Sequence, residues 1–356
     1  MPSRSKSTQA VRLAIVGTGG MANHHAKMFA ADPHCKIVAA CDVDSARVEK
    51  FTAEHGIAGC YTDLKKMLKT EQIDAVSVVT SDAFHMPVSL ACIKAGKHVL
   101  CEKPLALNAK DARKMAAAAK RAGIIHMVNF SYRDWPCLHG AADAIRKGQL
   151  GELRHVEASY LQAWLVSKAW DDWRTSQWLL WRLSTAHGSK GALGDIGVHI
   201  IDYAMLPAGP ITEVYCKLKT FPKAKNERIG EYHFDANDSA ILQVEFANGA
   251  LGVIHTTRWA PGHENRLALK ISGTLGSIEL DSDLSDRKFR ICAGEDVHTS
   301  HWREVECEPI PGNYARFIAA IRKKQPVDPD FARGAQVQRV LDAAFDSHLT
   351  GRAVKI

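Results

Sequence analysis

The sequence predicts a protein of two domains: an α/β domain built on a doubly wound parallel sheet, followed by an α+β domain with a largely antiparallel open sheet. Two observations predict the first domain: strand and helix patterns alternate as far as residue 128, and a glycine-rich turn follows the first strand. One observation predicts the second, because beyond residue 132 strand patterns follow one another without long helices between them. We place the domains at residues 11–131 and 132–356, after a flexible tail at residues 1–10.

The elements of the first domain are predicted in alternation. The strands are expected at 11–16, 36–41, 75–80, 98–101 and 125–128, and the helices at 22–31, 45–54, 63–69, 87–95 and 109–122. Strands separated by helices of this length pair in parallel, so ligands are expected at the carboxyl edge of the sheet.

The second domain is predicted to begin with a helix at 137–147. Strands are expected next, at 153–163, 212–219, 239–246, 250–257, 266–272 and 276–281, with closing helices at 313–323 and 334–349. Successive strands without long crossover helices favour antiparallel pairing.

Length and composition exclude several classes of protein. At 356 residues and 46% hydrophobic composition, the chain can bury a substantial core, and its length favours two domains. The longest apolar runs are far too short to span a bilayer and no signal peptide opens the chain, so we expect a cytoplasmic protein without a membrane partner. The net charge of +7 is modest and the basic residues are scattered among acidic ones, which does not favour a nucleic-acid partner.

The nine cysteines are spread along the chain without any C-x-x-C pair, and several lie in apolar runs. This pattern favours reduced thiols in a protein core over a disulfide framework or a zinc site. We therefore predict a reducing compartment and no metal site.

A glycine-rich turn lies between the first strand and the first helix. Its residues are Gly17, Thr18, Gly19, Gly20, Met21 and Ala22. In a dinucleotide-binding turn, Gly17 permits the tight bend, Gly19 lets the backbone approach a pyrophosphate, and Ala22 lets helix and strand pack closely. The diphosphate would bind N–H groups at the positive end of the helix. The alternative is an ordinary strand-to-helix turn.

An acidic residue, Asp42, ends the second strand, about twenty residues beyond the glycine turn. Its carboxylate can accept hydrogen bonds from the adenosine ribose hydroxyls and would repel a 2′-phosphate. Strand, turn, helix, strand and acid in this order predict a Rossmann domain that binds NAD in preference to NADP. The alternative for Asp42 is an Asx turn that leads into a helix cap at Asp44 and Ser45.

Three separated motifs resemble those of the Gfo/Idh/MocA oxidoreductase family, which includes inositol dehydrogenases and glucose-fructose oxidoreductase. They are AGKHVLCEKPL at 95–105, GALGDIGVH at 191–199 and NGALGVI at 248–254, and GTGGMA at 17–22 precedes them. The resemblance extends over nearly the whole chain and implies hydride transfer between NAD and a secondary hydroxyl of a sugar or polyol. It also implies that one open face of the second domain's sheet forms a subunit contact, so a homo-oligomer, dimeric or tetrameric, is expected.

The motifs contain residues suited to alcohol oxidation, which needs a base for the hydroxyl proton and a polarising group beside the cofactor. Lys103 follows a strand at the expected binding edge, and Asp195 and His199 are four residues apart, which puts them on one face of a helix. The resemblance implies that Lys103 contacts the reacting hydroxyl, that His199 is the general base, and that Asp195 binds a substrate hydroxyl. It places Glu102 and Lys103 against the cofactor as well. Without these motifs, a solvent-facing pair or a buried core histidine would be the ordinary interpretation of Asp195 and His199.

The loop after the third predicted strand departs from the family. Many members have Thr-Pro-Asn before a histidine there, whereas this chain has TSDAFH at 80–85. Thr80 and His85 are predicted to contact the cofactor. The backbone shape of a loop without the proline and asparagine stays open.

Six of the eight tryptophans fall between residues 135 and 181, shortly before Asp195. Indoles can stack on the apolar face of a sugar ring, and the predicted substrate contacts are Tyr160, Trp164, Trp173, Arg174, Asp195 and His199. For any single tryptophan, a place in a core beneath a long loop or an oligomer contact is the favoured alternative; for the cluster, a pocket wall is favoured. A narrower idea is that Arg174, Arg182 and Lys190 bind the anionic group of an acidic sugar.

Two other functions stay open on the same fold. One is an NAD-dependent glycosidase, in which transient oxidation of a ring carbon permits elimination of the leaving group. The other is an NAD-binding sensor that has lost catalysis, although the presence of Lys103, Asp195 and His199 argues against it. Net accumulation of NADH distinguishes a dehydrogenase from a glycosidase.

Overall fold

The structure, a computed structural model, describes residues 10–356 and divides the chain into two compact units. The first comprises the residues up to Ser131 together with Pro311–Gln338, and the second comprises Tyr132–Ile310 together with Arg339–Ile356. The tail predicted at residues 1–10 lies, apart from its last residue, outside the described residues. Within 10–356, no helix is both long enough and apolar enough to cross a membrane.

The first unit contains a parallel sheet of six strands in the order β3-β2-β1-β4-β5-β6. This is the doubly wound order, with the switch point between β1 and β4. Its elements are β1 (Val11–Val16), α1 (Gly20–Ala30), β2 (Cys35–Cys41), α2 (Ser45–His55), β3 (Gly59–Tyr61), α3 (Leu64–Thr70), β4 (Ala75–Val78), α4 (Asp82–Lys94), β5 (His98–Cys101), α5 (Ala109–Ala122) and β6 (His126–Val128).

The helix α4 differs from its prediction because it begins at Asp82, five residues before Pro87. The sequence interpretation used Pro87 as the first helical residue, the position that proline favours. In the structure Pro87 lies in the second turn, where its missing N–H removes one hydrogen bond. The predicted loop of residues 82–85 is therefore helical.

A helix from the end of the chain completes the core of the first unit. Tyr314 and Phe317 of α9 (Asn313–Lys323) are buried in one hydrophobic cluster with Leu13, Ile15 and Phe29. Burial of each such side chain stabilises a fold by roughly 1.5–3 kcal/mol. The boundary predicted from the sequence placed 132–356 in one domain, and the structure differs because this amphipathic helix buries its apolar face in the first unit.

The second unit contains a mixed sheet of nine strands in the order β16-β15-β14-β13-β7-β12-β11-β8-β17. All neighbouring strands are antiparallel except β7 and β12. Its elements are α6 (Pro136–Arg146), β7 (Leu153–Gln162), α7 (Gln177–Leu180), α8 (Val198–Ala208), β8 (Ile211–Lys219), β9 (Arg228–Ile229), β10 (Tyr232–His233), β11 (Ser239–Phe246), β12 (Leu251–Thr257), β13 (Asn265–Gly273), β14 (Gly276–Asp281), β15 (Lys288–Ala293), β16 (Arg303–Glu306) and β17 (Val354–Lys355). The last helix, α10 (Phe331–Thr350), contains the division between the units.

One face of this sheet carries exposed apolar side chains. Along β11 the residues alternate between buried and exposed, and Ile241 is 56% exposed. Leu251 of β12 and Tyr215 of β8 are also exposed, while α6 and α8 contact strands of the sheet. An antiparallel sheet with one covered face and one open face matches the prediction.

Candidate functional site

The chain turns sharply between β1 and α1 at Gly17. Its φ is +90°, and a side chain at this position would lie 2.6 Å from the carbonyl oxygen of Val79. Both the backbone conformation and the close approach require glycine. The turn thus brings the start of α1 to the carboxyl edge of the sheet.

The structure leaves room for a ligand at this turn. A side chain built on Gly19 or Gly20 would meet no atom within 4 Å, and no side chain caps the start of α1. Thr80, whose backbone lies against Gly17, has a buried hydroxyl oxygen with no hydrogen-bond partner among residues 10–356. Open space, uncapped helix N–H groups and an unused hydroxyl fit the diphosphate of a dinucleotide such as NAD.

The other two residues of the turn differ in exposure. Met21 is 53% exposed, so its side chain can lie against a ligand. Ala22 is fully buried in the hydrophobic cluster of the first unit, where its small side chain lets α1 approach β1.

Asp42 follows β2, and the glycine turn holds its carboxylate. Thr18 donates to Oδ2 from its backbone N–H at 2.7 Å and from its hydroxyl at 3.0 Å, while the backbone N–H of Asp44 donates to Oδ1 at 3.1 Å. Burial opposes the charge, but these hydrogen bonds and Arg47 outweigh it and lower the pKa of Asp42 below its usual value. Asp44 also caps α2, so the Asx-turn alternative coexists with a fixed negative charge suited to ribose hydroxyls.

Glu102 lies in a buried polar network directly after β5. Its Oε1 accepts hydrogen bonds from His25 Nε2 at 2.8 Å and Asn129 Nδ2 at 2.6 Å, and its Oε2 accepts from the backbone N–H of Lys103 at 3.2 Å. Burial raises the pKa of Glu102, but the bonds from His25 and Asn129 and the charge of Lys103 outweigh it and lower this pKa to about 2. Glu102 is thus a charged brace for the loop that carries Lys103, and its contact with the cofactor stays a prediction.

His85 braces the same loop from α4. Its two ring nitrogens lie 2.7 Å from the carbonyl oxygen of Pro104 and 3.0 Å from that of Thr80. The side chain is fully buried. His85 therefore holds the loops after β4 and β5 together, and its contact with the cofactor stays a prediction. Lys103, between these braced neighbours, is half-buried.

In the second unit, Asp195 and His199 lie on successive turns of one continuous helix. A five-residue π-helical segment, Leu193–Gly197, carries Asp195 and continues directly into α8, which carries His199. A π-helical turn of this kind is rare and frequently marks a functional site. The helix predicted for Asp195 and His199 is present, and its first turn is π-helical, which is wider than an α-helical turn.

Two contacts fix this helix. Arg133 donates to Asp202 of α8 through Nε at 2.6 Å and Nη2 at 2.7 Å, and both side chains are buried. At the other end, Asn237 Oδ1 accepts from the backbone N–H of Leu193 at 3.0 Å, and a side chain at Gly191 would collide with Asn237. Rigid anchoring of this kind keeps candidate catalytic groups in one orientation.

Tyr160 of β7 belongs to a polar cluster beside His199. Its hydroxyl donates to Asn265 Oδ1 at 2.7 Å and is hydrogen-bonded to the hydroxyl of Tyr132, whose ring lies edge-on to His199 with centroids 5.0 Å apart. Burial and the neighbouring phenol of Tyr132 raise the pKa of Tyr160 well above its ordinary value. Tyr160 therefore stays protonated and can act as a hydrogen-bond donor.

Two guanidinium groups face the carboxylate of Asp195. Arg258 Nη2 lies 3.1 Å and Arg182 Nε lies 3.5 Å from Asp195 Oδ2. Arg258 is fully buried, whereas the side chains of Arg182 and Asp195 are about a quarter exposed. The carboxylate is thereby held between a fixed cation and a partly exposed one.

The predicted substrate residues Trp164, Trp173 and Arg174 have different surroundings. Trp164 donates from Nε1 to Gln162 Oε1 at 3.1 Å, and the guanidinium of Arg258 lies 4.9 Å from its ring centroid. Trp164 is therefore linked to Asp195 indirectly, because Arg258 contacts both residues.

Trp173 has the location that the core alternative predicted. It is 1% exposed and donates to the carbonyl oxygen of Leu165 at 3.1 Å within a cluster that includes Phe234. Arg174 is exposed, lies over the Trp173 ring and pairs with Asp172 at 3.4 Å. Trp173 thus lies in the packing and Arg174 on the surface of the 164–190 segment, and their contact with a substrate stays a prediction.

Two family models match the chain. The model described as "Oxidoreductase family, NAD-binding Rossmann fold" matches residues 11–130, and the "GFO/IDH/MocA C-terminal domain" model matches residues 138–279. The chain belongs to the Gfo/Idh/MocA oxidoreductase family. Its first unit is accordingly an NAD-binding Rossmann domain, and the chain is an NAD-dependent oxidoreductase.

Similar members of the family act on sugars. Levoglucosan dehydrogenase of Pseudarthrobacter phenanthrenivorans is 27% identical over 95% of this chain and 96% of that protein. D-Apiose dehydrogenase of Paraburkholderia graminis is 27% identical over 96% of this chain and 89% of that protein. A levoglucosan dehydrogenase complex with NADH and levoglucosan is similar with a TM-score of 0.86 at 26% identity, covering 98% of this chain and all of that one. An oxidoreductase domain protein from Kribbella flavida is 31% identical with a TM-score of 0.87, covering 98% of this chain and all of that one.

Several residues of the candidate site were missed from the sequence of this Gfo/Idh/MocA protein. They are His25, Asn129, Tyr132, Gln162, Arg258 and Asn265. His25 follows the glycine turn on α1, and Asn129 follows β6, so the rule that functional groups collect at carboxyl strand ends would have found both. The others depend on tertiary contacts around the mixed sheet, which no local pattern shows.

Proposed function

We propose that this chain oxidises a secondary hydroxyl of a sugar or polyol and transfers the hydride to NAD, or catalyses the reverse reaction. The observation that carries the proposal is the placement of Asp195 and His199 on successive turns of one anchored helix, beside a permanently protonated tyrosine. In an NAD-dependent chain, such groups are suited to binding a polyhydroxylated substrate and moving one proton.

The proposed roles divide between the two domains predicted from the sequence. When bound, NAD supplies the acceptor for the hydride. Lys103, the cation braced by Glu102, hydrogen-bonds to and polarises the reacting hydroxyl, and His199 accepts its proton. Asp195 accepts a hydrogen bond from a second substrate hydroxyl, and Tyr160 donates one once its single O–H turns from Asn265 to the substrate.

The nucleotide contacts are proposed on the first unit. Gly19, Gly20 and Met21 would hold the diphosphate at the start of α1, and Thr80 would add its hydroxyl. Asp42 would accept hydrogen bonds from the adenosine ribose. The fixed carboxylate disfavours the 2′-phosphate of NADP.

Trp164 is proposed as the wall against which the apolar face of the sugar packs. Its indole nitrogen is already bonded to Gln162, so the ring orientation is fixed before substrate binds. Trp164 is connected with Asp195 through Arg258, as Trp178 and Trp181 are through Arg182.

The open sheet face of the second unit is proposed as the subunit contact of a homo-oligomer. Ile241, Leu251 and Tyr215 supply exposed apolar area there, which supports a protein partner. We propose no nucleic-acid or membrane partner and a cytoplasmic location. All nine cysteines are free, and burial raises the pKa of Cys92 to about 12, as expected for inert core thiols in a reducing compartment.

The experiment is NAD reduction by the purified chain against a panel of polyols, aldoses, anhydrosugars and uronates. We expect net NADH to accumulate with at least one neutral sugar or polyol. The absence of NADH with every member, despite saturating NAD binding, would reject the dehydrogenase. Cleavage of an aryl glycoside that requires NAD but forms no net NADH would identify the glycosidase instead.

A further inference from the structure

Arg258, directly after β12, is held by three contacts of its guanidinium. Nη2 donates to Asp195 Oδ2 at 3.1 Å, and Nη1 donates to the carbonyl oxygen of Arg182 at 3.0 Å. The Trp164 ring centroid lies 4.9 Å from its Cζ. With its side chain fully buried, Arg258 has one orientation, and that orientation directs a charge at Asp195.

The other acidic residue near Arg258, Asp238, already has a partner. The backbone N–H of Arg258 donates to the carbonyl oxygen of Asp238, but the Asp238 carboxylate forms a 2.8 Å ion pair with Lys223. Both of those side chains are fully buried, so that pair is neutral as a unit. Asp195 is left as the counter-ion of Arg258.

The two guanidinium groups beside Asp195 favour its ionised form. Arg182 adds a second guanidinium at 3.5 Å, from the turn Trp181–Leu183. Burial, together with the charge of Asp195, raises the pKa of Tyr160 of β7, so this side chain is a neutral phenol. His199 follows one helical turn later on α8. Burial lowers the pKa of Arg258, but a guanidinium pKa starts so high that the group stays charged.

We infer that Arg258 is the positioning residue for Asp195, and that it holds this carboxylate ionised and in one rotamer so that it accepts substrate hydrogen bonds but never takes the reaction proton. The inference rests on the proposed role of Asp195 in substrate binding. It divides the two acceptors on the helix: Asp195 binds, and His199 moves the proton. Arg258 itself acts through Asp195 and needs no contact with the substrate.

The test uses Arg258→Met, Arg258→Lys and Asp195→Asn in the full chain, with the sugar found by the panel. Arg258→Met should lower kcat/KM by up to about a hundredfold, because the carboxylate loses its fixed orientation, while NADH affinity stays unchanged. Its pH profile should gain an acidic limb between about pH 4 and 6, because a partly buried carboxyl that has lost one of its two guanidinium neighbours takes up a proton more readily. Arg258→Lys should restore the charge and remove that limb, with partial recovery of kcat/KM.

The double variant Arg258→Met with Asp195→Asn removes both charges of the pair. It should be no less active than Asp195→Asn alone, and it should fold even if Arg258→Met does not, because no uncompensated buried charge is left. The matched control is Arg290→Met, since Arg290 also lies over a tryptophan, Trp302, and pairs with a carboxylate, Glu279, but in β15. The control should leave kcat/KM and the pH profile unchanged.

Two outcomes distinguish failure of the inference about Arg258 from failure of the proposed role of Asp195. If Asp195→Asn has full activity, the proposed function of Asp195 is wrong. If Asp195→Asn loses activity but a folded Arg258→Met has the wild-type pH profile, or the two losses multiply in the double variant, Arg258 does not act through Asp195 and the inference is overturned.

Discussion

Replacement of Glu102 by glutamine should markedly lower the stability of the first unit at neutral pH. This loss relative to the wild type should become smaller as the pH falls. The variant keeps the size of the side chain but removes the charge that accepts hydrogen bonds from His25, Asn129 and the Lys103 backbone. It thereby imitates the protonated glutamate at every pH.

The magnitude follows from the pKa of Glu102, which is about 2 in the folded chain against an ordinary value of 4.5. A carboxyl whose pKa is lowered by folding stabilises the fold above its unfolded pKa, and this stabilisation is lost as the pH falls toward the folded pKa. The difference corresponds to about 3 kcal/mol at pH 7, of which about 1 kcal/mol is left at pH 3. The free energies of unfolding of wild type and Glu102→Gln should therefore differ by about 3 kcal/mol at pH 7, and the difference should narrow to about 1 kcal/mol at pH 3.

The assay must report on the first unit. All eight tryptophans lie in the second unit, so intrinsic fluorescence would follow the other half of the chain. Hydrogen exchange of peptides from β1 and β5, measured along a urea series at pH 7 and pH 3, follows the correct one. Glu54→Gln on α2, where Glu54 is half exposed and pairs with Lys50 at 3.7 Å, is the control and should show no pH-dependent gap. A gap for Glu102→Gln that is the same at both pH values would refute the assignment of a buried, ionised brace.

Three further predictions concern cofactor, substrate and chemistry. Fluorescence titration should show NADH binding at least tenfold tighter than NADPH, a gap of about 1.4 kcal/mol, and equal affinities would exclude Asp42 as the ribose ligand. Trp164→Phe should raise the substrate KM with unchanged NAD affinity, whereas Trp173→Phe should lower the melting temperature with unchanged kinetics. The reverse result would make Trp173 the pocket wall and Trp164 the core residue. Lys103→Ala and His199→Ala should each lower kcat by roughly two to four orders of magnitude with little change in NADH affinity, and the losses should combine non-additively. A folded His199→Ala with near-normal kcat would exclude His199 as the base.

The sequence predicts the parallel sheet well because its signals are local. Helix α5 begins and ends at the predicted residues, since Asn108 caps it and Gly123 ends it in the left-handed region. The strand β16 was missed because it is short and rich in charge, which is typical of a strand at the edge of a sheet. Local pattern is weak evidence where pairing with a neighbour decides the conformation.

The site was only half visible in the sequence for a related reason. Glycine turns, the EKP motif and the spacing of Asp195 and His199 are contiguous or nearly so, and they stand out. Arg258 reaches Asp195 across 63 residues of chain and Asn129 reaches Glu102 across 27, so their roles depend on tertiary contacts. Burial is equally hidden from local pattern: the side chains of His85 and Trp173 are enclosed, and each is hydrogen-bonded to a backbone carbonyl.

The position of helix α9 also bears on how this protein is made. When residue 131 leaves the ribosome, the nucleotide-binding unit still lacks Tyr314 and Phe317, whose rings fill its core. All strands of the mixed sheet except β17 must be synthesised before those side chains arrive, so the nascent unit exposes apolar surface during that interval. A fragment cut at residue 131 would have the same defect, and a minimal nucleotide-binding fragment needs residues 311–338 joined to it.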